Sequence, residues 1–366
     1  MWIVPAAGGE PVRATDDPGN EIDLTWTPDG AGVTFAYNEG VLNLWTTAVD
    51  DGTTRQLTSS DKDDYSPQVS PDGQSVVFIS ERAGNQDLWT VPLSGGEPTR
   101  LTTNPADDRA PRWSPDGTRI AFVAERGGNA NIWVIDADGA NQVQLTDWPT
   151  TENDPQWSPD GSLIAFLSDR EAENLVEIWT VPAQGGEPVR VTDTGGNVSG
   201  NQLWSPDGSA FLYNGLDDEG GISLHRVSAK GGEVKQLTFA GLVQNGRWSP
   251  DGASVAFTGL EGESADLLVM PAQGGAVKTL LATPANEFAP RWSPDGTMVA
   301  FVTDQDGNSD IAVMPASGGP VRKLTETAAN ENEPEWSPDG KTLVYLASDS
   351  DHKLVTVSVG HLLAGW

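Results

Sequence analysis

The sequence predicts an all-β fold, an eight-bladed β-propeller built from four-stranded antiparallel blades. Three observations carry that prediction. A five-residue signature ending in Pro-Asp-Gly occurs eight times in 366 residues. Its Asp-to-Asp intervals are 43, 44, 44, 47, 44, 44 and 44 residues, which is the size of one four-stranded blade. Between the copies lie short apolar runs broken by Gly, Asn and Asp, and no stretch sustains a 3.6-residue period. The repeats use up the chain, so residues 1–366 are read as one domain.

Each repeat divides into strands a to d. Strand a ends at the signature, first as Trp26-Thr27-Pro28-Asp29-Gly30 and then as Val69-Ser70-Pro71-Asp72-Gly73. The other six copies read Trp-Ser-Pro-Asp-Gly from Trp113, Trp157, Trp204, Trp248, Trp292 and Trp336. Pro-Asp-Gly makes a tight turn in which glycine supplies a positive φ. Strand b is the apolar run that follows, as in Ile120-Ala121-Phe122-Val123. A polar loop leads to strand c, such as Asn131-Ile132-Trp133-Val134-Ile135, and a Gly-Gly turn opens strand d, which ends in Leu-Thr or Val-Thr.

Ring closure is the irregular step. The chain opens with Trp2-Ile3-Val4-Pro5 and Gly8–Arg13, which match strands c and d, and it finishes with strand b at Thr342–Leu346 and a weaker strand c at Leu354–Ser358. The N-terminal strand d must complete the last blade, which hides two sheet edges. That leaves nine strand-c segments for eight places. The intact Trp favours Trp2–Pro5; direct chain continuity tips the reading toward Leu354–Ser358. The surplus segment offers an edge to a second chain, although a monomer is expected.

Composition narrows the function. The chain carries 21 Lys+Arg against 53 Asp+Glu, a formal charge of −32. A polyanion gains no counterion release from nucleic acid and is repelled by anionic membrane surfaces. With no Cys, disulfides, thiolate zinc sites, iron–sulfur clusters and thiol catalysis are excluded. No apolar run approaches the ~20 residues that span a bilayer, and the N-terminus does not read as a signal peptide. The acidity also suits a salt-adapted proteome.

The Trp-Ser-Pro-Asp-Gly signature, the Asp/Asn-x-Trp strand and the Gly-Gly…Leu-Thr strand together resemble the TolB-type, WD40-like propeller repeat. The Gly-His and Trp-Asp pairs of eukaryotic WD40 repeats are absent. Similar repeats form propellers of prolyl-oligopeptidase-type serine peptidases, whose dipeptidyl-peptidase branch uses eight blades. Ser80-Glu81-Arg82 and Ser168-Asp169-Arg170 look much like segments of those propellers. The resemblance implies the fold, and a periplasmic or extracellular location, but leaves function open because such propellers serve many tasks.

Catalytic constellations are scarce. No G-x-S-x-G elbow occurs; Gly196-Asn197-Val198-Ser199-Gly200 has the wrong spacing and lies in a loop. Only His225, His352 and His361 offer an imidazole, and no two share a metal-ligand spacing. His225 stands in the strand-c Trp column, where a packed role is expected. The Pro-Asp-Gly aspartates are read as turn formers, and the Asp or Asn two places before the strand-c Trp as strand-entry hydrogen bonders. The signature Trp column is read as inter-blade packing rather than a sugar platform.

One column carries more chemistry. Five residues before each signature stand Glu21, Asp64, Asp108, Glu152, Ser199, Val243, Glu287 and Glu331, of which six are carboxylates. They enter the innermost strand, so they are expected to ring one channel mouth, raise one another's pKa and attract cations. Oxygen ligands would suit Ca²⁺; the competing expectation is pairing with Arg112, Arg247 and Arg291. The acidic connections Arg170–Asn174 and Gly215–Gly221 sit in loops of the kind that often bear function. The favoured reading is a non-catalytic binding or scaffolding propeller that takes a protein, peptide or small-molecule ligand at a channel mouth. It needs no cofactor unless Ca²⁺ occupies the acidic column. A propeller cut from a serine peptidase or other enzyme, and an engineered scaffold, stand as alternatives.

Overall fold

A computed structural model describes residues 2–5, 12–13, 20–38, 41–48, 54–171, 175–194, 198, 203–216, 220–238, 243–260, 264–325, 330–348 and 353–358. Among these residues every regular element is a strand. Seven antiparallel sheets have four strands each in the order a-b-c-d, and an eighth holds five. Blade four shows the pattern, with Glu152–Trp157, Leu163–Ser168, Glu177–Pro182 and Val189–Arg190 as its strands.

Nearly continuous burial of strand b sets the core. Phe35, Phe78, Phe122, Phe166, Tyr213, Phe257, Phe301 and Tyr345 recur once per blade and are all buried. Each apolar side chain of this size contributes about 1.5–3 kcal/mol when withdrawn from water. In blades one to four the residue directly opposite on strand c is Trp45, Trp89, Trp133 and Trp179. The apolar clusters run between neighbouring blades: Ala121, Val134 and Leu145 of blade three share one with Trp157, Phe166 and Trp179 of blade four.

The signature builds both the turn and the seam. In blade four the Ser158 hydroxyl donates to Asp160 Oδ1 at 2.6 Å, the Ser162 N–H donates to the same oxygen, and the Leu163 N–H donates to Ser158 Oγ. Gly161 takes φ 70°, the left-handed region where a Cβ is strained. It also lies on the preceding blade, since a Cβ there would meet Pro115 Cδ at 3.6 Å. The same stacking of glycine on proline recurs around the ring, and Gly30 of the first repeat faces Pro338 and Asp339 of the last.

The signature Trp donates its indole N–H across the same seam. Trp113 reaches the Gln68 carbonyl, Trp157 that of Arg112, Trp204 that of Gln156, Trp248 that of Leu203, Trp292 that of Arg247 and Trp336 that of Arg291, at 2.9–3.3 Å. This is the packing role read from the sequence, with a hydrogen bond added.

The closing blade runs a Asn330–Trp336, b Thr342–Ser348, c Trp2–Pro5 and d Val12–Arg13. The N-terminus completes the last blade, as the repeat count requires. Lys353–Ser358 also pairs with strand b, in register from Thr342↔Ser358 to Ala347↔Lys353. Both strand-c segments are thus aligned to one strand, and the C-terminal one begins a residue earlier than its sequence suggests.

Trp157→Phe removes the indole donor to the Arg112 carbonyl across the seam, at a cost of about 1–2 kcal/mol in chemical denaturation. Trp26→Phe is the control, because its buried indole N–H, in the same column, has no acceptor and only ring area is lost. Equal losses in the two variants would show that the seam bond contributes nothing.

Candidate functional site

Strands a and b begin and end together at the loop face, and this register decides where the carboxylate column goes. Asp64 lies opposite Ser80, Asp108 opposite Ala124, Glu152 opposite Ser168 and Glu287 opposite Thr303. Asp64, Asp108, Glu152, Glu287 and Glu331 are each at most 1% exposed. They lie inside the seams between blades rather than as a solvated ring around the channel. The Glu21 side chain and Ser199 fall outside the described residues, and Val243 is a buried apolar wall.

Their partners are not the expected arginines. Arg112 stands 3.9 Å from Asp154, and Arg291 Nε donates to Glu335 at 2.7 Å. Burial, reinforced by Arg291, lowers Arg247 to about 10. The guanidinium reaching the column comes from the residue two places after strand b. Arg82 Nη2 donates to Asp64 Oδ2 at 2.6 Å, and Arg126 Nη2 lies 3.2 Å from both oxygens of Asp108. The same arginines stack on the strand-c indoles, with Cζ 4.8 Å from Trp89 and 4.2 Å from Trp133. Arg170 breaks the series: it stacks on Trp148 at 4.0 Å and Trp179 at 5.5 Å.

Glu152 is held by hydroxyls instead. Thr150 and Ser168 donate to Oε1 at 3.0 Å and Thr146 to Oε2 at 3.2 Å. Thr146 also lies 3.4 Å from Asn131 of blade three, so the Leu-Thr threonine bridges two blades. Its Oγ1 accepts the Ile132 N–H, and Thr58, Thr102, Thr192, Thr238 and Thr325 accept the matching strand-c N–H groups. Thr325 donates to Glu331 in turn. Leu281 replaces this threonine before Glu287. Thr283 serves Glu287 Oε1 at 2.6 Å, while its buried Oε2 meets no donor.

Strand c starts with a second polar column that co-varies with strand d. Asp87 pairs with Arg100 at 2.6 Å, Glu177 with Arg190 at 3.1 Å and Asp310 with Lys323 at 2.6 Å. Of the Asp and Asn residues read as strand-entry hydrogen bonders, Asp87 and Asp310 are ion-paired, while Asn43 and Asn131 accept the Ser60 and Trp148 N–H groups as that reading expects.

Chemically, burial pushes these carboxyls toward the protonated form. Burial raises Asp108 to about 6, against the opposing pull of Thr102 and Arg126, and Glu152 to about 7, against its three hydroxyl donors. Asp64 and Glu287 are raised for the same reason. The turn aspartates go the other way: Asp160 falls to about 2, held down by Ser158 and then by the Ser162 N–H. Among the described residues no group of three or more His, Asp or Glu is placed to hold a metal ion. His225 stacks on Tyr213 at 5.3 Å, 8% exposed, the packed role expected of it. His352 and His361 fall outside the described residues, as do residues 172–174, 195–197 and 217–219 of the loops singled out in the sequence.

Sequence reasoning missed a backbone feature beside the column. Two residues after the carboxylate position, Asp23, Ser66, Ala110, Asp154, Asn245 and Ala289 have φ between 51° and 58°, and strand a shifts register there. Each is a β-bulge that bends strand a beside the column. The Ser66 N–H donates to Asp23 of the preceding blade at 2.8 Å, so the bulges also join blades. Asp23, Asp154 and Asn245 were the available signal, because the short polar side chains of Asp and Asn tolerate the left-handed region.

The interior carboxyls give stability a defined pH dependence. Their folded pKa values lie above the unfolded ones, so the stability they contribute is complete below about pH 4 and is lost as pH rises through about 6 to 7. Denaturation midpoints are expected to fall between about pH 5 and 8 in high salt, where surface repulsion is screened. Glu152→Gln should flatten the upper part of that slope. An unchanged slope in this variant would remove Glu152 from the account.

Comparison with known proteins agrees with the geometry. Residues 105–245 and 240–353 match the TolB beta propeller domain, and residues 41–129 match the Tricorn protease N-terminal beta propeller domain. A TolB homolog of Chlorobium luteolum is 35% identical over 74 residues, which span 20% of this chain and 17% of that protein. Dipeptidyl peptidase 4 of Porphyromonas gingivalis superposes with a TM-score of 0.70 at 14% identity, over 95% of this chain and 62% of that one. An oligogalacturonate lyase from Vibrio parahaemolyticus gives 0.61 at 14%, over 92% and 97%. Likeness at such identities carries the fold alone. The repeat, the seam and the family match over most of its length place this chain in the TolB beta propeller domain family.

Proposed function

We propose that this chain is a non-catalytic binding propeller that docks a protein partner at the loop face of blades four to six. The observation carrying the reading is the distribution of exposed apolar side chains. Leu175, Leu216 and Leu260 are 39%, 41% and 40% exposed. They stand at the same end of three consecutive blades, just before strand c or at the end of strand b. Isolated exposed leucines need no explanation, but their alignment on one face marks a contact surface. On this side the carboxylate column gives way to Ser199 and Val243, while the adjoining loop sequence is acidic, with Glu171, Glu173, Asp217, Asp218 and Glu219. The groups that would perform acid–base chemistry elsewhere are engaged in seams and turns, which supports binding over catalysis.

The −32 charge adds long-range attraction for a basic partner. No cofactor is required in this reading, and a periplasmic or extracellular setting follows from the family resemblance. A second reading has one observation in its favour. This chain spans 62% of the Porphyromonas peptidase it resembles in shape, as a propeller joined to a separate catalytic domain would.

Leu216→Asp/Leu260→Asp tests the docking face. Exposed substitutions of this kind change stability by about 0.5 kcal/mol or less, so a co-purifying partner lost from the variant at unchanged thermal midpoint supports the reading. Retention of every wild-type partner counts against it. Turnover of a peptide or oligogalacturonate by the purified chain would overturn the non-catalytic assignment. Thermal scans in EDTA and in Ca²⁺ at matched ionic strength address the acidic column. A cation at a hundredfold excess over Kd adds about 2.7 kcal/mol, and a Ca²⁺-specific rise lost in Asp108→Asn or Glu287→Gln would make the column a metal site.

A further inference from the structure

We propose that the third-strand place of the closing blade is shared by two segments of this chain, Trp2–Pro5 and Lys353–Ser358, which exchange for one another. The register leaves no room for both. Within the last blade, Leu343 is paired with Trp336 on strand a, with Val4 at the N-terminus and with Val357 at the C-terminus. Thr342 is likewise aligned with both Pro5 and Ser358. A strand in a sheet has two edges, each carrying one row of hydrogen-bonding groups. Strand a holds one edge of Thr342–Ser348, so the two remaining segments compete for the other.

The sequence reaches the same point independently, through nine strand-c segments for eight places. Each competitor brings a different advantage. Trp2–Pro5 pairs through only Val4 and Pro5, but it carries strand d, Val12–Arg13, on its far edge and makes a blade like the other seven. Lys353–Ser358 offers six registered residues and follows strand b after a short connection, so its loop-closure cost is small. The two advantages offset each other, and a small gap between the arrangements is the condition for two populated states. The losing segment leaves with an unpaired edge, and only the N-terminal occupant ties the start of the ring to its end. Exchange therefore switches the ring between a state latched by the N-terminus and one closed by the C-terminal strand.

The chain has no cysteine, so introduced thiols can pair only with each other. Opposed positions on neighbouring strands lie within disulfide reach. In a Pro5→Cys/Thr342→Cys/Ser358→Cys variant, mild oxidation followed by peptide mapping should yield both the 5–342 and the 342–358 linkage in monomer, each above about 1% of the total. Adding Val355→Pro, which breaks the C-terminal ladder, should drive the product to 5–342. A single linkage that ignores Val355→Pro overturns the proposal. Hydrogen exchange on the unmodified chain stays decisive if the variants fold poorly. Partial protection of both segments is expected, whereas full protection of one with none in the other overturns exchange.

Discussion

The seam between blades is the constraint on which the rest of this molecule depends. A single blade is a twisted four-stranded sheet with two apolar faces, and it cannot hide both alone. Six of the eight blades therefore give an indole N–H to the backbone of the one before, and each blade seats its turn glycine against that blade's Pro-Asp turn. The repeat length follows from this demand. Strand a must put its Trp against the previous strand a while the Pro-Asp-Gly turn returns the chain at the same height, and the eight copies keep that distance within a few residues. The contact of Gly30 with Pro338 and Asp339 carries the pattern from the last repeat to the first.

The opposite end of the seam is polar. Strand-entry carboxylates, the Leu-Thr threonines and the post-b arginines form a buried layer in which carboxylates are met by a guanidinium or by hydroxyl donors. Burying an ion is costly unless paired, and the local solutions differ: Asp64 and Asp108 have a guanidinium, Glu152 has three hydroxyls, and Glu287 has one. Burial pushes the carboxyls without a guanidinium, Glu152 and Glu287, toward the protonated form. The turn aspartates remain ionised at the opposite face. The formal charge of −32 therefore overstates the charge of the loop face near neutral pH, which is the face proposed to dock a partner.

Much of this fold was legible because a repeat reports its own period. The eight-blade count, the Pro-Asp-Gly turns and the packing Trp column need only spacing and residue type. The site was less legible, for a geometric reason. Position in the repeat put Glu21, Asp64, Asp108, Glu152, Glu287 and Glu331 at the entry to strand a, but it did not say whether they face the channel or the seam. The bulge at Ser66, Ala110 or Ala289 alters the alternation that follows, and no pattern in Asp-Tyr-Ser-Pro or Asp-Arg-Ala-Pro announces it. Arg112 and Arg291, adjacent in sequence to the column, consequently point to other partners. Arg82 and Arg126 arrive from 18 residues downstream, a distance set by the a–b hairpin rather than by the local chain.

Because the eight repeats solve one packing problem, departures among them locate where selection asked for something else. Trp89, Trp133 and Trp179 give way at the equivalent place to His225, Leu268 and Ala312, opposite Tyr213, Phe257 and Phe301. The arginine that stacks on the indole in blades two to four has Gln305, exposed to solvent, as its counterpart in blade seven. Losing both members of a stacked pair leaves the apolar core intact, since Ala312 and Phe301 are fully buried. It removes a guanidinium and an aromatic face from one half of the loop surface. The ring is therefore symmetric in its seams and asymmetric at its loop face. Exposed Leu216 and Leu260 stand where the Arg-Trp pairs stop, so the half that gives up cation–π pairing is the half that presents apolar contact.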